Sequence, residues 1–503
     1  MFQLKGDYFL GRYHQGKKAN EDIHKVSPAE LDCSLWSAHI YYDHIEEAVS
    51  SAKMGFESWR KTPVAKRIEI LKKFKVNVAS KTKEIAMAIA METGKPLWES
   101  MTEANALASK VDVTIEESLK RVTNTTISSV MPEIDGHIIY KPIGPSLIIG
   151  PFNFPCHLAN TQILSALLTG NSIIFKSSEK TIYSAQLMFD CLAEAGFPKG
   201  VINFINGAAH TSSALCSHKD IKAIFFTGSK PVGLKILEVT HKSLDKLVAL
   251  ELGGKNTTIL HKDTNIEHAL PELLRSCFLT AGQRCTSTSI IAIHKSIQQE
   301  FIDKFKDLTN RIIIDHPIKY ATEPFMGPLI DDLAMKKYFD ICKQGEKEGA
   351  EAIIKAKKAQ TKFEGFYTAA SLYFMEKINY QSQYLQSEIF GPNCTFLPYQ
   401  DIEEAIAVAN CTEYGLAASV FTHDKKIYEK CIMDIDSGLI NLNRSTVGAS
   451  ARLPFGGVKS SGNHHPAAVS MIDSTVHMIS SLETQDESSK IEDVKGLTDD
   501  RSR

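Results

Sequence analysis

No stretch of this 503-residue sequence approaches the ~20 consecutive apolar residues that a bilayer-spanning helix needs. No sign of charge dominates either: 57 lysines and arginines face 59 aspartates and glutamates, for a net −2. That balance gives no electrostatic reason to expect nucleic acid or an anionic membrane as a partner. Ten cysteines fall without the paired or clustered spacing of a disulfide framework or a metal site, so no metal is expected. The first twelve residues lack the apolar core of a secretory leader and do not read as a transit peptide. The cysteines therefore read as reduced thiols of a cytoplasmic protein. No internal repeat is visible. The last stretch, 484–503, has few large apolar residues and many charges, and is expected to be a disordered tail.

What is there is an ordinary globular composition, 43% hydrophobic and 23% charged, long enough for two or three domains. Short strands and turns are expected over 2–42, with a turn at Lys5-Gly6-Asp7. Helical periodicity starts at Asp43. After Pro63 a longer run extends from Val64 toward Met91 and stops at Gly94-Lys95-Pro96. Residues 98–121 are helical again. Asp135-Gly136, between two short apolar runs, predicts the turn of a hairpin over 128–140. From Pro145 apolar strands at 146–149, 172–175, 201–204, 223–226 and 247–250 alternate with helices. That alternation predicts an α/β fold with a parallel, doubly wound sheet, whose ligands gather at the strand carboxyl ends. A second α/β region runs on to about 443, with a solvated helix and loop over 343–363. A last strand is expected at 476–482.

The chemistry centres on Ala281-Gly282-Gln283-Arg284-Cys285-Thr286. A cysteine becomes a nucleophile when it is accessible and a nearby cation or helix start favours its thiolate. A lone cysteine is more often simply buried. The balance shifts because Glu251 ends an apolar strand 34 residues upstream, against Gly253 and Gly254. Gly228-Ser229-Lys230-Pro231-Val232-Gly233 follows another strand and opens a helix, where free N–H groups could meet a phosphate. Taken alone it is a plain strand-to-helix turn. A cysteine hydrolase is a competing class, but none of the seventeen histidines lies in a recognisable partner motif.

The ordered set "GPFNFP" at 150–155, "FKSSE" at 175–179, "FTGSKPVG" at 226–233, "ELGGKN" at 251–256, "GQRCT" at 282–286, "EIFGP" at 388–392 and "PFGGVKSSG" at 454–462 resembles the aldehyde dehydrogenase superfamily. The resemblance implies a Rossmann-type dinucleotide-binding domain over 1–121 and 141–251 and a catalytic domain over 252–450. It also implies an oligomerisation arm from 122–140 and 465–483. It gives Cys285 as nucleophile, Glu251 as general base and Asn153 as oxyanion donor. It gives NAD as cofactor, held by Lys176, Glu179, Gly228, Ser229, Gly233, Glu388 and Phe390. Glu179 at the ribose favours NAD over NADP. A catalytically inactive relative is the other reading within this resemblance, and the presence of all three catalytic residues counts against it.

Within the superfamily the chain is similar to the succinylglutamate semialdehyde branch, through "GPFNFPCHLAN", "TGKPLWES" and "SSGNHHPAA". Cys156 stands where that branch has glycine, His465 where it has arginine, and Leu252 where methionine is usual. The implied substrate is an anionic aldehyde, N-succinylglutamate semialdehyde of arginine catabolism first, with glutamate or succinate semialdehyde as the alternatives. His157, Asn160, Arg284 and Arg444 are the candidates for contacting it, arginine being suited to bidentate carboxylate recognition. The hairpin and the terminal strand predict a homodimer or homotetramer in which the terminal strand extends a neighbour's sheet.

Overall fold

The computed structural model describes residues 2–485 and 495–496. Most of the expected tail therefore lies outside the described residues. The first sheet has seven strands, in the order Leu247–Glu251, Ala223–Thr227, Ser146–Ile149, Ile173–Lys176, Ile202–Phe204, Asp7–Phe9 and Arg12–His14. The first five are parallel, and Asp7–Phe9 joins antiparallel. Side-chain alternation decides what each strand buries. Ile148, Ile173 and Phe175 enter one core, while Leu147, Ile149 and Ile174 enter a second core on the opposite face. A sheet buried on both faces explains why these strands read as unbroken apolar runs.

The parallel part of this sheet starts near its middle, at 146–149, and adds 173–176 and 202–204 on one side, next to the edge strands laid down earlier by Asp7–Phe9 and Arg12–His14. It then returns to add 223–227 and 247–251 on the other. Between Ser146–Ile149 and Ala223–Thr227 the winding reverses. Such a reversal leaves a crevice at the carboxyl ends of the two strands, and Gly150–Asn153 and Thr227–Gly233 border it.

The second sheet also has seven strands: Glu351–Ile354, Ser371–Phe374, Asn393–Tyr399, Thr288–His294, Asn256–Leu260, Ala417–Phe421 and Leu439–Leu442. All pair in parallel except the edge strand Glu351–Ile354. Its core gathers Phe278, Phe301, Phe305 and Phe396.

Several local expectations are corrected. The single helix expected from 64 toward 91 is two, Val64–Ser80 and Thr82–Thr93, broken at Lys81 with φ −102° and ψ 9°. Periodicity alone does not register one non-helical residue between two apolar stripes. Residues 343–363 are not only helix and loop, because Glu351–Ile354 pairs with Ser371–Phe374. The hairpin turn is Pro132-Glu133, with Glu133 at φ 58°, and Asp135-Gly136 lies inside the second strand, Ile134–Pro142. Asp135 instead accepts from the Ser129 N–H at 2.8 Å, holding an irregularity in the register of Thr125–Met131. A local side-chain acceptor of this kind competes with turn formation by the same residue.

The terminal strand, Val476–Thr484, pairs antiparallel with Ile134–Pro142 of its own chain, from Val476 opposite Pro142 to Thr484 opposite Ile134. That edge of the hairpin is therefore covered internally. The open edges are the outer sides of Thr125–Met131, which is exposed throughout, and of the terminal strand itself.

Candidate active site

The helix Ile266–Phe278 is started by Asn265, whose side chain accepts from the His268 N–H at 3.2 Å. After it the chain makes a left-handed excursion over three residues: Thr280 at φ 56°, Ala281 at φ 52° and Gly282 at φ 71°. Two of the three are not glycine, so the turn holds backbone strain of the kind that tends to gather at functional sites. Gly282 cannot be replaced without disturbance: a Cβ there would lie 2.2 Å from the Gly391 carbonyl oxygen. The turn delivers Cys285 to the floor of the crevice. There the Cys285 carbonyl accepts from Asn256 Nδ2 at 2.7 Å.

Burial, with Glu251 and Glu388 nearby, pushes the Cys285 thiol up to about 12; the N–H groups of Cys285 and Thr286 oppose this. The adjacent cation expected to activate it does not do so. Arg284 Nη2 pairs with Glu99 at 2.5 Å, Nε donates to Thr280 Oγ1 at 2.8 Å, and the guanidinium lies over the Phe154 ring. Its charge is spent on holding the turn.

Glu251 ends its strand with the side chain buried and Oε1 without a protein partner. Burial raises its pKa well above the carboxylate range, toward the working pH at which a general base is most effective. Asn153 Nδ2 donates one hydrogen to the Gln283 carbonyl at 2.8 Å. An amide nitrogen has two, so one remains for an oxyanion.

Three residues that the sequence reading missed hold these loops in register. Lys95 Nζ donates to the Asn153 carbonyl at 2.8 Å and pairs with Glu103 at 2.7 Å, both side chains fully buried. Glu103 Oε1 accepts from the Cys156 and His157 N–H groups, at 3.1 Å each. Glu99, one turn earlier on the same helix Leu97–Val113, accepts from the Thr280 N–H and hydroxyl and pairs with Arg284. One helix face thus grips the Asn153 loop with one carboxylate and the Cys285 turn with the other. Removing one partner of a buried pair such as Lys95–Glu103 costs about 3–5 kcal/mol, because a charge is left alone. The visible signal was two carboxylates four residues apart, behind the lysine of the Gly94-Lys95-Pro96 stop.

A cleft of about 1210 Å³ runs from Lys176 and Glu179, past Gly228, Ser229 and Asn153, to Cys285, Glu251, Glu388 and Phe390. This exceeds the ~300–1,000 Å³ of typical small-ligand pockets and suits an extended ligand. Lys176 Nζ and Glu179 lie 3.6 Å apart. Gly233 is needed because a Cβ there would press on Leu252 at 2.8 Å, and Gly228 because one would enter the Phe226 ring. The helix Lys230–Thr240 begins at Ser229 without a side-chain cap. Pro231 has no N–H, and those of Val232 and Gly233 already donate to the Ser229 carbonyl. This helix start therefore offers an anion fewer free donors than the usual four. Glu388 Oε1 accepts from the Gly254 N–H at 3.1 Å, and a Cβ on Gly253 would collide with that carboxylate. Phe390 sits at φ 56°, its ring edge-on to Phe152 at 5.9 Å.

The remaining candidates lie elsewhere. Arg444 is exposed and does not line this cleft. His157 and Asn160 are not on its lining but directly behind the Asn153 loop that walls it; they sit on the helix His157–Thr169, which packs against Leu97–Val113. Two of the sequence departures are core positions. Cys156 packs in the first core with its thiol donating to the Ser184 carbonyl, and Leu252 packs in the second core against Gly233 while also bordering the cleft. His465, at φ 47°, presses on Gly456. Among the described residues no cluster of metal-ligating side chains occurs, and no helix is long and apolar enough to cross a membrane.

Comparison with known proteins places these features in context. The profile of the aldehyde dehydrogenase family matches residues 14–479. The N-succinylglutamate 5-semialdehyde dehydrogenase of Novosphingobium aromaticivorans is 34% identical over 465 residues, covering 92% of this chain and 97% of that protein. A protein of the same name from Caulobacter vibrioides is 34% identical over 442 residues, covering 88% and 92%. Among solved structures, a 1-pyrroline-5-carboxylate dehydrogenase from Thermus with bound NAD superposes with a TM-score of 0.89 at 24% identity, covering 95% and 93%. A betaine aldehyde dehydrogenase from Staphylococcus aureus in complex with NAD⁺ gives 0.90 at 24%, covering 98% of each chain.

Proposed function

This chain belongs to the aldehyde dehydrogenase family, and we propose that it oxidises an anionic semialdehyde to the carboxylic acid with NAD as hydride acceptor, N-succinylglutamate semialdehyde being the preferred substrate. The observation that carries the mechanism is the convergence of Cys285, Glu251 and Asn153 on the floor of one long cleft at the reversal of the first sheet.

The cleft's residues fit a dinucleotide. Glu179 and Lys176 suit the adenosine ribose, and the sparse donors at Ser229–Gly233 suit a loosely held pyrophosphate. Glu388 and Phe390 would flank the nicotinamide end. Bound there, NAD supplies the hydride acceptor. The chain's own residues do the rest. The Cys285 thiol gives its proton to solvent in the cleft and, as thiolate, attacks the aldehyde carbon, forming a C–S bond and an alkoxide. The free Asn153 N–H and the Cys285 backbone N–H are the alkoxide's donors, and one such donor is worth about 3–4 kcal/mol in the transition state. Loss of hydride from that carbon leaves a thioester. Glu251 takes a proton from water, the water attacks the thioester, and the acid leaves with the thiol restored. The division into an NAD-binding region, a catalytic region around the second sheet and an arm built on the three-stranded sheet is part of the same reading.

The substrate class is supported by the names of the relatives that cover nearly all of the chain. The test is a panel of aldehydes with NAD, followed at the reduced-nicotinamide band. N-succinylglutamate semialdehyde should show much the highest kcat/KM, ahead of succinate semialdehyde, with hexanal and benzaldehyde far behind. Hexanal or benzaldehyde outrunning every dicarboxylic semialdehyde would overturn the substrate and leave the family.

The two open edges of the three-stranded sheet fit a homodimer or homotetramer, since long exposed edges are usually covered. Light scattering at micromolar concentration should report at least twice the chain mass; a monomer would sink this part. The ten free cysteines suit a reducing compartment such as the cytoplasm.

A further inference from the structure

Lys110 lies on the helix Leu97–Val113 with its side chain buried, 6% exposed, and among the described residues no carboxylate pairs with it. Lysine is almost never buried without a partner. The neighbouring polar groups are equally short of partners. His157 Nδ1 and Asn160 Oδ1 are buried and bond to nothing in the protein. They share a face of the helix His157–Thr169, three residues apart. Asn160 Nδ2 donates to the Leu107 carbonyl at 3.1 Å, one turn before Lys110, so the faces bearing the three groups meet. The loop leading into His157 is the one that carries Asn153. Immediately after Lys110's helix the backbone widens into a π-helical turn, Thr114–Ser118, a distortion frequent at functional sites.

A buried cation, two buried acceptors and a spare amide hydrogen, gathered one helical turn behind the oxyanion loop, form an incomplete hydrogen-bonding set. We infer that Lys110, with His157 and Asn160, recognises the end of the substrate remote from the aldehyde, the lysine taking a carboxylate and the two acceptors an amide N–H. This rests on the anionic-semialdehyde reading and names the residues that enforce it, in place of Arg284, which Glu99 neutralises, and Arg444, which is exposed. A succinylated amino-acid semialdehyde carries both features, a carboxylate and an amide N–H. Succinate semialdehyde carries the carboxylate alone.

The other charges facing this region are already committed. Glu103 is paired with Lys95, Asp112 with Lys75 and Glu117 with Arg452. His157 is held neutral, pushed down to about 3 by burial and by Lys110 and Lys95. Burial alone brings Lys110 down to about 8. The free enzyme therefore loses this cation as pH rises through about 8. A bound carboxylate opposes that loss, so the effect falls on KM rather than kcat.

The test uses the full-length enzyme with saturating NAD, N-succinylglutamate semialdehyde and hexanal, and the variants Lys110→Met and Lys110→Arg. In the wild type the ratio of kcat/KM for the anionic over the neutral substrate should fall as pH rises through about 8. Lys110→Met should lower that ratio about 10–100-fold at pH 7, as expected for loss of one charge-assisted bond. Lys110→Arg should retain most of the ratio and abolish its decline above pH 8, because arginine stays protonated. Equal losses on both substrates in Lys110→Met, or a pH dependence that survives in it, would overturn the assignment and make Lys110 structural. If the wild type shows no preference for the anionic substrate, the substrate reading itself fails, and this proposal fails with it.

Discussion

Cys285→Ala should abolish NAD-dependent aldehyde oxidation, lowering kcat on the order of 10⁴-fold or more, as loss of a covalent nucleophile does. NAD binding should persist, because the residues along the cleft that suit the dinucleotide remain in place. The expectation is sharp because no other thiol can substitute. Eight of the other nine cysteines are buried and Cys33 is half-buried; Cys216, which also borders the cleft, is held on the helix Ala209–Ser217, and Cys156, next after the Asn153 loop, points its thiol at the Ser184 carbonyl. Two measurements suffice: turnover at the reduced-nicotinamide band, and NAD titration by quenching of protein fluorescence. Retained turnover would move the nucleophile elsewhere and sink the mechanism.

Glu251→Gln should separate the two halves of the reaction. Hydride loss needs the thiol and the oxyanion donors, whereas thioester hydrolysis needs a base for water. The variant should release about one equivalent of reduced nicotinamide per site in a burst and then turn over slowly, the signature of acyl-enzyme accumulation. In the wild type, burial has raised this carboxyl, so the ionised base is lost as pH falls through its elevated pKa. Turnover limited by hydrolysis should therefore rise with pH across that range, and Glu251→Gln should flatten the rise. Loss of the burst as well would assign Glu251 to deprotonating Cys285 instead.

Much of the first sheet could be read from the chain because each strand is a short apolar run buried on both faces and closed by a glycine or polar turn. The strand ends carried the candidate residues for the same reason, and Lys176, Glu179, Gly228, Ser229, Glu388 and Phe390 do border one cleft with Cys285. The hairpin was legible as an element but not in its turn, since Asp135 found a backbone partner across the strand. The break at Lys81 was invisible, because one residue of altered ψ leaves the apolar spacing almost intact.

The fine structure of the site was less legible, because it depends on contacts between distant segments. Arg284 beside Cys285 suggested an activating cation, yet its partner Glu99 lies 185 residues away. Lys95 read as part of a helix stop, and Glu103 fell unremarked in the helix expected over 98–121. Their roles appear only once the helix Leu97–Val113 docks between the oxyanion loop and the nucleophile turn. Lys110 gave no signal in the sequence, for its lack of a partner is a property of the packed interior.

The elevated thiol of Cys285 has a consequence for the enzyme's durability. Peroxide and alkylating electrophiles attack thiolate, not thiol. With burial and the neighbouring Glu251 and Glu388 disfavouring its thiolate, the half-exposed Cys285 should react slowly with peroxide while the enzyme idles. Its vulnerability is confined to the interval in which the thiolate forms for catalysis, when the aldehyde competes for it. The carboxylates that disfavour its ionisation are thus expected to slow oxidative inactivation between turnovers.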